Sequence, residues 1–532
     1  MNIDIIQARN GSQTYKIDGT LIHSAYNPEK EAQRFINNKI GDSKPGTIIL
    51  LGAGGGYILN EIKRHYPDRK TIAIWYDTGI YHITKPEVCC AWHPECDTEI
   101  RPFLFEHISE LDIEGMVILQ WQPCVKIFGS LHNTIMQSLS NVIQQLNGSL
   151  MTVKTFGKRW INNAVSNLLH FSTFYKSLKI QDNICITASG PSLEYCVPFL
   201  KEWMKSMQIF ALPSSLAFLS KHGIMPDAVI TTDPGFYSSM HFQWNNREVP
   251  LFMPITAYKG ISKQNWLPVL IYQKSFIESL LLSQFQDQLI SIPENGTVAG
   301  TALEIALKLT NQNIFLCGQD FGYQDIFCHV RPHMFDRLFQ STSTRFETEL
   351  GIRSKRAFTS AETRVNTVER TSLPLKTYAQ WFQAKAGEYK GRVFRLFPSS
   401  VLQNDIPSVS IKDAVNIVQG ADKKQKICLE KVQLCADPEK FISRHLESVM
   451  HILKNAEKDL SNTPVKAVLF SNQRIFTVLY QLYAGELIRI RKLARTGELS
   501  LAKKEAESIL SKAHSFIHAV KKRTTGYQGI NL

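Results

Sequence analysis

The chain has 532 residues, 44% hydrophobic and 20% charged, which excludes a disordered or low-complexity polypeptide and leaves room for two to four domains with sizeable cores. No run of about 18 apolar residues occurs, so no membrane-spanning helix is expected. The opening Met1-Asn2-Ile3-Asp4 lacks the basic-then-apolar pattern of a secretory signal, so a cytoplasmic protein is expected. The net charge of +13 invites a nucleic-acid reading, yet much of it lies between Arg489 and Arg523. There basic residues alternate with apolar ones beside Glu498, Glu505 and Glu507, the pattern of a solvated helix face, and no nucleic-acid partner is expected.

Residues 1–150 are predicted to form an N-terminal Rossmann-like α/β domain. In "GTIILLGAGGGYILNEIKRHYP" a strand, Ile48 to Leu51, runs into a turn of Gly52, Gly54, Gly55 and Gly56 and then into a helix. "TIAIWYD" and "GMVILQWQP" read as further buried strands. The turn is like those of dinucleotide or methyl-donor sites, and Asp77 ends the next strand, where an adenosine ribose is met. Tyr57, however, stands where the third glycine of GxGxxG belongs, so the turn is expected to be structural and to hold no catalytic cofactor. Of the ten cysteines, those in apolar runs such as Cys185 and Cys317 read as core residues. Cys89, Cys90, His93 and Cys96 in "CCAWHPEC" are compactly spaced, but adjacent cysteines are poorly disposed for one tetrahedral ion; incidental loop thiols and no metal site are expected.

Residues 151–410 are predicted as the central domain, entered by a bridging helical segment to about residue 180. The strands "ICITAS", "QIFALPS", "DAVITTD", "PLFMPIT", "VLIYQK" and "NIFLCGQD" alternate with helical patterns, which predicts a parallel, doubly wound sheet. Ligands of such sheets bind beyond the carboxyl ends of strands, where Ser189, Ser214, Asp233 and Asp320 fall. "ICITASGPSLEYCVPFL", residues 184–200, reads in two ways. The amides and hydroxyls of Ser189 to Ser192 face an anion at a helix starting near Leu193, with Gly190 allowing close approach. Alternatively the loop is a plain connection with Ser192 as N-cap. Similar small hydroxyl residues at Ser214-Ser215, Thr231-Thr232-Asp233, Gly296-Thr297 and beside Gly318-Gln319-Asp320 favour one shared polar pocket. Residues 411–532 show apolar residues at three- and four-residue spacing and are predicted as a C-terminal helical bundle.

"GPSLE", "GIMPDAVITTDP" and "GTVAGTALEIALKL…IFLCGQDFGY…H" together resemble the central domain of the motility-associated factor (Maf) family of flagellin glycosyltransferases. That domain is also similar to an archaeal 6-hydroxymethylpterin diphosphokinase family. "LIHSAYNPEKEAQRFI" and "LLGAGGGYILNEI" resemble the N-terminal domain of the same proteins. The resemblance spans most of residues 20 to 400. It implies an α/β chain of two Rossmann-like domains, the central one sialyltransferase-like, followed by the helical bundle. It further implies a bacterial enzyme that moves a nonulosonic acid (pseudaminic, legionaminic or sialic type) from a CMP-activated donor to Ser or Thr of flagellin. In this resemblance Gly190, Pro191, Ser192 and Leu193 lie at the nucleotide. Ser189, Ser214, Asp233, Thr297, Gly318, Gln319 and Tyr323 complete the expected nucleotide-sugar site. The sequence departs from the family at Ser189, where many relatives have Gly, and at "RLFPSSVLQNDIP", residues 395–407, which replaces a glycine-rich stretch near the acceptor side.

Glycosyl transfer develops oxocarbenium character on the sugar and negative charge on the departing phosphate, and a base takes the acceptor's proton. The candidate bases are His329, Asp233 and Asp320. An unperturbed His329 titrates near neutrality. Asp233 is assigned to substrate contact, and Asp320 is alternatively a cap of the turn that follows it. No cofactor beyond the donor substrate is called for. Two other functions stay open. One is a Mg-dependent diphosphokinase of the pterin type, with Asp233 and Asp320 at the metal. The other is a non-catalytic flagellin-binding protein that uses its helical bundle.

Overall fold

A computed structural model describes residues 3–84, 90–171, 173–242, 248–263, 265–359, 363–364, 369–388, 391–396, 406–418 and 423–525. The chain divides into two compact units, one of residues 1–157 with 450–516 and one of residues 158–449 with 517–532. Each is built on a parallel sheet. The expected boundary near residue 150 falls inside the helix Gly129–His170. The C-terminal helices Pro438–Asp459, Val465–Phe470, Gln473–Thr496 and Leu499–Thr525 contribute residues to both units. Among the described residues no helix is long and apolar enough to cross a membrane.

In the first unit the strand Thr47–Leu51 is flanked by Lys70–Ile74 on one side and Val117–Gln120 on the other, with Ala91–Trp92 beyond Lys70–Ile74. All five residues of "TIILL" are buried, as befits a continuous apolar run covered on both faces. An antiparallel meander, Ile3–Gln7, Gln13–Ile17 and Thr20–Leu21, precedes them. The glycine turn is where Rossmann sheets hold a phosphate, and Gly52, Gly54 and Gly56 adopt the positive φ angles of 76°, 52° and 82° that such a turn demands. Here the chain itself occupies it. The Gly55 amide donates to His23 Nε2 at 3.0 Å, and His23 is buried and stacked on Trp121 at 5.2 Å. A Cβ on Gly54 would meet His23 Nε2 at 2.7 Å, and one on Gly55 would meet the Tyr15 ring at 2.7 Å. Asp77, at the strand end where a ribose would be met in a dinucleotide site, accepts from the Ile80 amide at 2.9 Å at the start of the helix Thr78–Thr84.

The second unit's main sheet has the order Ser408–Val409, Val393–Leu396, Ile314–Cys317, Ile184–Thr187, Gln208–Ala211, Ala228–Ile230, Val249–Met253, Trp266–Tyr272, Phe174–Ser177 and Leu429–Val432. Every neighbouring pair is parallel except the last. The six strands expected in this region are all present. Two elements differ from expectation. "FYKS", read as part of a bridging helix, is a strand, Phe174–Ser177, and Leu429–Val432 interrupts the stretch read as wholly helical. These two pair with each other at one side of the sheet, a long-range partnership that local periodicity does not carry. From Ile184–Thr187 the chain steps outward strand by strand, then returns to lay Ile314–Cys317 on the other side of it. The topological switch point therefore lies between Ile184–Thr187 and Ile314–Cys317. Two apolar layers, one on each face, fix these strands: Cys185, Leu193 and Phe315 belong to one, Ile184, Ile186 and Leu316 to the other.

Gly54→Val is expected to destabilise the first unit by about 1–3 kcal/mol, because the residue is left-handed and its side chain meets a buried imidazole. Calorimetric unfolding checks this; an unchanged midpoint would mean that His23 does not fill the turn.

Candidate functional site

At the switch point two strand ends touch through glycine. The Gly190 amide donates to the Gly318 carbonyl at 2.7 Å, just beyond the Ala188 to Cys317 bond of 2.8 Å. A Cβ on Gly190 would lie 2.5 Å from both the Gly318 carbonyl and the Asp320 carboxylate, and one on Gly318 would lie 2.4 Å from the Ala188 carbonyl. Asp320 then grips the next residues of the loop: it accepts from the Ser192 amide at 2.7 Å and from the Ser192 hydroxyl at 2.5 Å. Charge-assisted bonds of this kind are stronger than neutral ones.

This geometry corrects the expected anion cradle. Pro191–Cys196 is a 3-10 turn, and the α-helix begins only at Val197, so no helix N-terminus stands at Leu193. The amides of Gly190, Ser192 and Leu193 are all paired within the protein, the last to the Gly190 carbonyl at 3.0 Å. Gly190 is required by its packing on Gly318 and Asp320, and Ser192 bonds to Asp320 instead of capping a helix.

The loop after Asp320 returns over the same strand end. The Val330 amide donates to the Ser189 carbonyl at 2.8 Å, and His329 Nδ1 lies 3.0 Å from the Ser189 hydroxyl. The His329 ring stacks on His333 at 4.3 Å with only 9° between planes, and His333 meets His241 edge-on at 5.0 Å. His333 is also the N-cap of the helix Met334–Thr342. Its Nδ1 accepts from the Phe335 amide at 3.3 Å, while its own amide donates to Asp336 at 2.9 Å. An accepting Nδ1 places the hydrogen of the neutral ring on Nε2. Among the described residues, His333 Nε2 and His241 Nδ1 are buried with no hydrogen-bond partner.

Burial holds all three imidazoles neutral. It pushes His329 down to about 4, with nearby Arg353 acting in the same direction and Asp336 opposing. It pushes His241 to about 4 and His333 to about 2, each helped by neighbouring imidazoles. The expectation that His329 titrates near neutrality is thereby corrected. Arg353 bonds Asp336 and Glu349 and lies over the rings of Phe327 and Phe339, which keeps the Asp336 cap in place.

The switch point therefore gathers Ser189, Gly190, Pro191, Ser192, Leu193, Gly318, Asp320 and His329. Gln319 is buried beside them, and Tyr323 pairs with Arg370 in a small antiparallel sheet, its phenol raised by burial next to Cys328. Thr297 is engaged as the N-cap of Val298–Leu309, accepting from the Gly300 amide at 2.8 Å. Ser214 is half-buried in the turn Pro213–Ser215, whose Ser215 hydroxyl is tied back to the Thr187 and Leu212 carbonyls. Asp233 is an exposed turn residue, accepting from the Gly235 amide at 2.6 Å, with its pKa raised by partial desolvation. Asn163 and Asn167 brace this neighbourhood by donating to the carbonyls of Pro234, Thr256, Ile255 and Ala257. Sequence reasoning missed His333 and His241. His333 carried a signal, since Asp336 follows it at capping-box spacing; His241 carried none.

Among the described residues no group of three or more His, Cys, Asp or Glu is disposed to hold a metal ion. Asp320 accepts from the Ser192 amide and hydroxyl, one bond on each oxygen, and Asp233 accepts from the Gly235 amide with one of its two oxygens. In the "CCAWHPEC" stretch the His93 amide donates to Cys96 Sγ at 3.4 Å and the His93 ring packs on Tyr81 at 4.3 Å; Cys89 lies outside the described residues.

Residues 158–325, which hold most of this switch point, match a family described as 6-hydroxymethylpterin diphosphokinase MptE-like. The class is thus an α/β chain with an MptE-like segment. Its particular fold is that of the Maf glycosyltransferase from Magnetospirillum magneticum AMB-1, matched over 99% of this chain and 92% of that one at a TM-score of 0.62 and 12% identity. The resemblance drawn from the sequence motifs is thereby met at the level of fold. In sequence, an uncharacterised protein of Treponema pallidum (strain Nichols) is 24% identical over 315 residues, 59% of this chain and 67% of the relative. A second protein of that organism is 23% identical over 193 residues, 36% of this chain and 88% of the relative.

Two outcomes follow. Gly190→Ala is expected to lower the thermal midpoint by several degrees, since its Cβ meets backbone and a carboxylate; a wild-type midpoint would mean that the strand ends can part freely. Each of the three imidazoles has a folded pKa below its ordinary 6.5, so the unfolded chain binds more protons. Their contribution to stability is complete above pH 6.5 and is lost as pH falls, toward about 4 for His241 and His329 and about 2 for His333. Unfolding measured from pH 7 to 5 should show that decline, and His241→Phe should make it shallower. A profile that His241→Phe leaves unchanged would remove His241 from the linkage.

Proposed function

We propose that the protein is a glycosyltransferase that moves a nonulosonic acid from a CMP-activated donor to a Ser or Thr hydroxyl of flagellin in the cytoplasm. The carrying observation is the neutral, half-buried His329 held against Ser189 at the switch point of a Maf-type fold. In the tautomer with hydrogen on Nδ1, His329 donates to the Ser189 hydroxyl and keeps the Nε2 lone pair for the acceptor's proton. The Ser189 hydroxyl hydrogen then turns to the departing phosphate, whose growing charge it stabilises. A dianionic leaving group near the ring favours the imidazolium, so the base strengthens as the donor bond breaks. Asp320 holds the Ser192 loop in register, and Asp233 positions substrate at a neighbouring strand end. Gly318, Gln319, Leu193, Ser214, Thr297 and Tyr323 line or frame the nucleotide-sugar path in this reading.

The match of residues 158–325 to an MptE-like family favours a second reading, pterin diphosphokinase activity, which needs ATP and Mg²⁺. Incubation with CMP-nonulosonic acids and flagellin, followed by intact mass, separates the two. The proposed activity adds one sugar mass per modified hydroxyl and releases CMP. No mass gain with any donor, together with diphosphate transfer to a hydroxymethylpterin, would establish the second reading instead. His329→Ala is expected to lower turnover by about 10²–10⁴ with CMP affinity nearly unchanged, while Asp233→Ala raises KM. Wild-type turnover in His329→Ala would take the base role from this residue.

A further inference from the structure

The first unit contains a cavity of about 990 Å³. Its place in the fold is set by what precedes each strand. Gly46 leads into Thr47–Leu51, Lys70 opens Lys70–Ile74, and Ser109 to Asp112 lead toward Val117–Gln120. The cavity thus lies at the amino ends of the parallel strands. The glycine turn, where such sheets ordinarily bind ligands, is at the carboxyl ends and is filled by His23 and Tyr15. The other wall comes from the chain between Leu460 and Lys503. On the helix Gln473–Thr496 the lining residues Gln473, Phe476 and Tyr480 follow at three- and four-residue spacing, and Arg491 lines the same space from beyond the kink at Tyr483.

Six cations line this space: Arg69, Lys70, Lys466, Arg491, Arg495 and Lys503. The carboxylates that line it are Asp68, Glu110 and Asp112. Lys70 and Arg491 are committed to Asp112, at 3.0 and 3.1 Å, and Arg495 to Glu114 at 2.7 Å. Asp112 also accepts from Ser109 and Thr47, so it is a fixed buried anion that anchors two cations at the wall. Among the described residues Arg69, Lys466 and Lys503 form no salt bridge, and neither do the lining carboxylates Asp68 and Glu110, so the unpaired cations outnumber the unpaired anions by one; Lys503 also donates to the Ser461 carbonyl at 3.4 Å. Two lining groups have a buried polar atom without a partner, Tyr480 Oη and Arg495 Nε. The apolar side of the wall is aromatic: Phe470, Phe476 and Tyr480, with the last two rings stacked at 5.6 Å.

From this set we infer a binding site in the first unit for a phosphorylated small molecule that carries a planar ring, a ligand of nucleoside diphosphate class. The negative charge of a phosphoryl group is met by Arg69, Lys466 and Lys503, which outnumber the unpaired Asp68 and Glu110. A base-sized ring matches the aromatic wall, with Gln473 and Asn462 offering amides to its polar edge. The volume is at the upper end of the range usual for small-molecule sites. The site is independent of the chemistry proposed for the second unit and uses none of its residues.

The test is calorimetric titration of the intact protein with ADP, CDP and inorganic pyrophosphate. Saturable binding of at least one nucleoside diphosphate is expected, weaker at higher salt and tighter than that of pyrophosphate. The double variant Lys466→Glu/Lys503→Glu should weaken it at least tenfold with an unchanged thermal midpoint. Phe476→Ala should bring the diphosphate down to the affinity of pyrophosphate. Absence of saturable binding by all three probes overturns the proposal, as does binding that the charge-reversed variant leaves intact, since that ligand would then sit elsewhere. Equal affinity for pyrophosphate and the nucleoside diphosphates in the wild type overturns the ring-binding half. Stronger association with phosphatidylglycerol-containing vesicles or with a polyglutamate peptide than with any diphosphate would reassign the cavity to a macromolecular surface.

Discussion

The second unit turns on a contact that admits no side chain. At the switch point of its sheet, Gly190 and Gly318 let the ends of two neighbouring strands meet amide to carbonyl at 2.7 Å. Everything else at the site is hung on that approach. Asp320 reaches Ser192 only because Gly318 turns the chain back with a φ of 69°, and Ser189 reaches His329 only because the following loop is pinned to the Ser189 carbonyl. The two glycines are an internal packing requirement. A ligand at this place meets side-chain hydroxyls and imidazoles in front of an already bonded backbone.

The histidine cluster shows how a site gains its chemistry from packing rather than from residue type. His329 and His333 come from one loop and His241 from a 3-10 turn, and each loses its proton for the same reason, removal from water. Stacking two neutral rings at 4.3 Å costs little, whereas two imidazolium ions at that distance would repel strongly in a poorly solvated setting. Neutrality is therefore a collective property: each ring makes protonation of the next less favourable.

Much of the architecture was legible in the sequence because it is written locally. Six central strands are short apolar runs punctuated by small residues, and the Thr47–Leu51 strand with its glycine turn is equally plain. Ser189, Gly190, Ser192, Asp320 and His329 could be selected because strand ends in a doubly wound sheet converge. What was not legible depends on distant partners. Phe174–Ser177 is a strand by virtue of Leu429–Val432, about 250 positions away in the chain and too far for periodicity to register. The use of the loop amides by Gly318 and Asp320 needs the three-dimensional register of two strands, and His241 enters the site through a turn with no motif. The glycine turn of the first unit reads as structural because Tyr57 stands where a third glycine belongs, but which side chain fills it, the buried His23, was not legible.

His333 serves two masters with one ring. As an N-cap it contributes an acceptor to the Phe335 amide, a duty that Asn, Ser or Asp performs as well; as a stacking partner it contributes an aromatic face, which none of those residues has. Only histidine joins a short-range acceptor to a flat ring of that size. The position is accordingly far less interchangeable than either of its duties, and drift at this residue would separate the start of a helix from the orientation of the neighbouring imidazole.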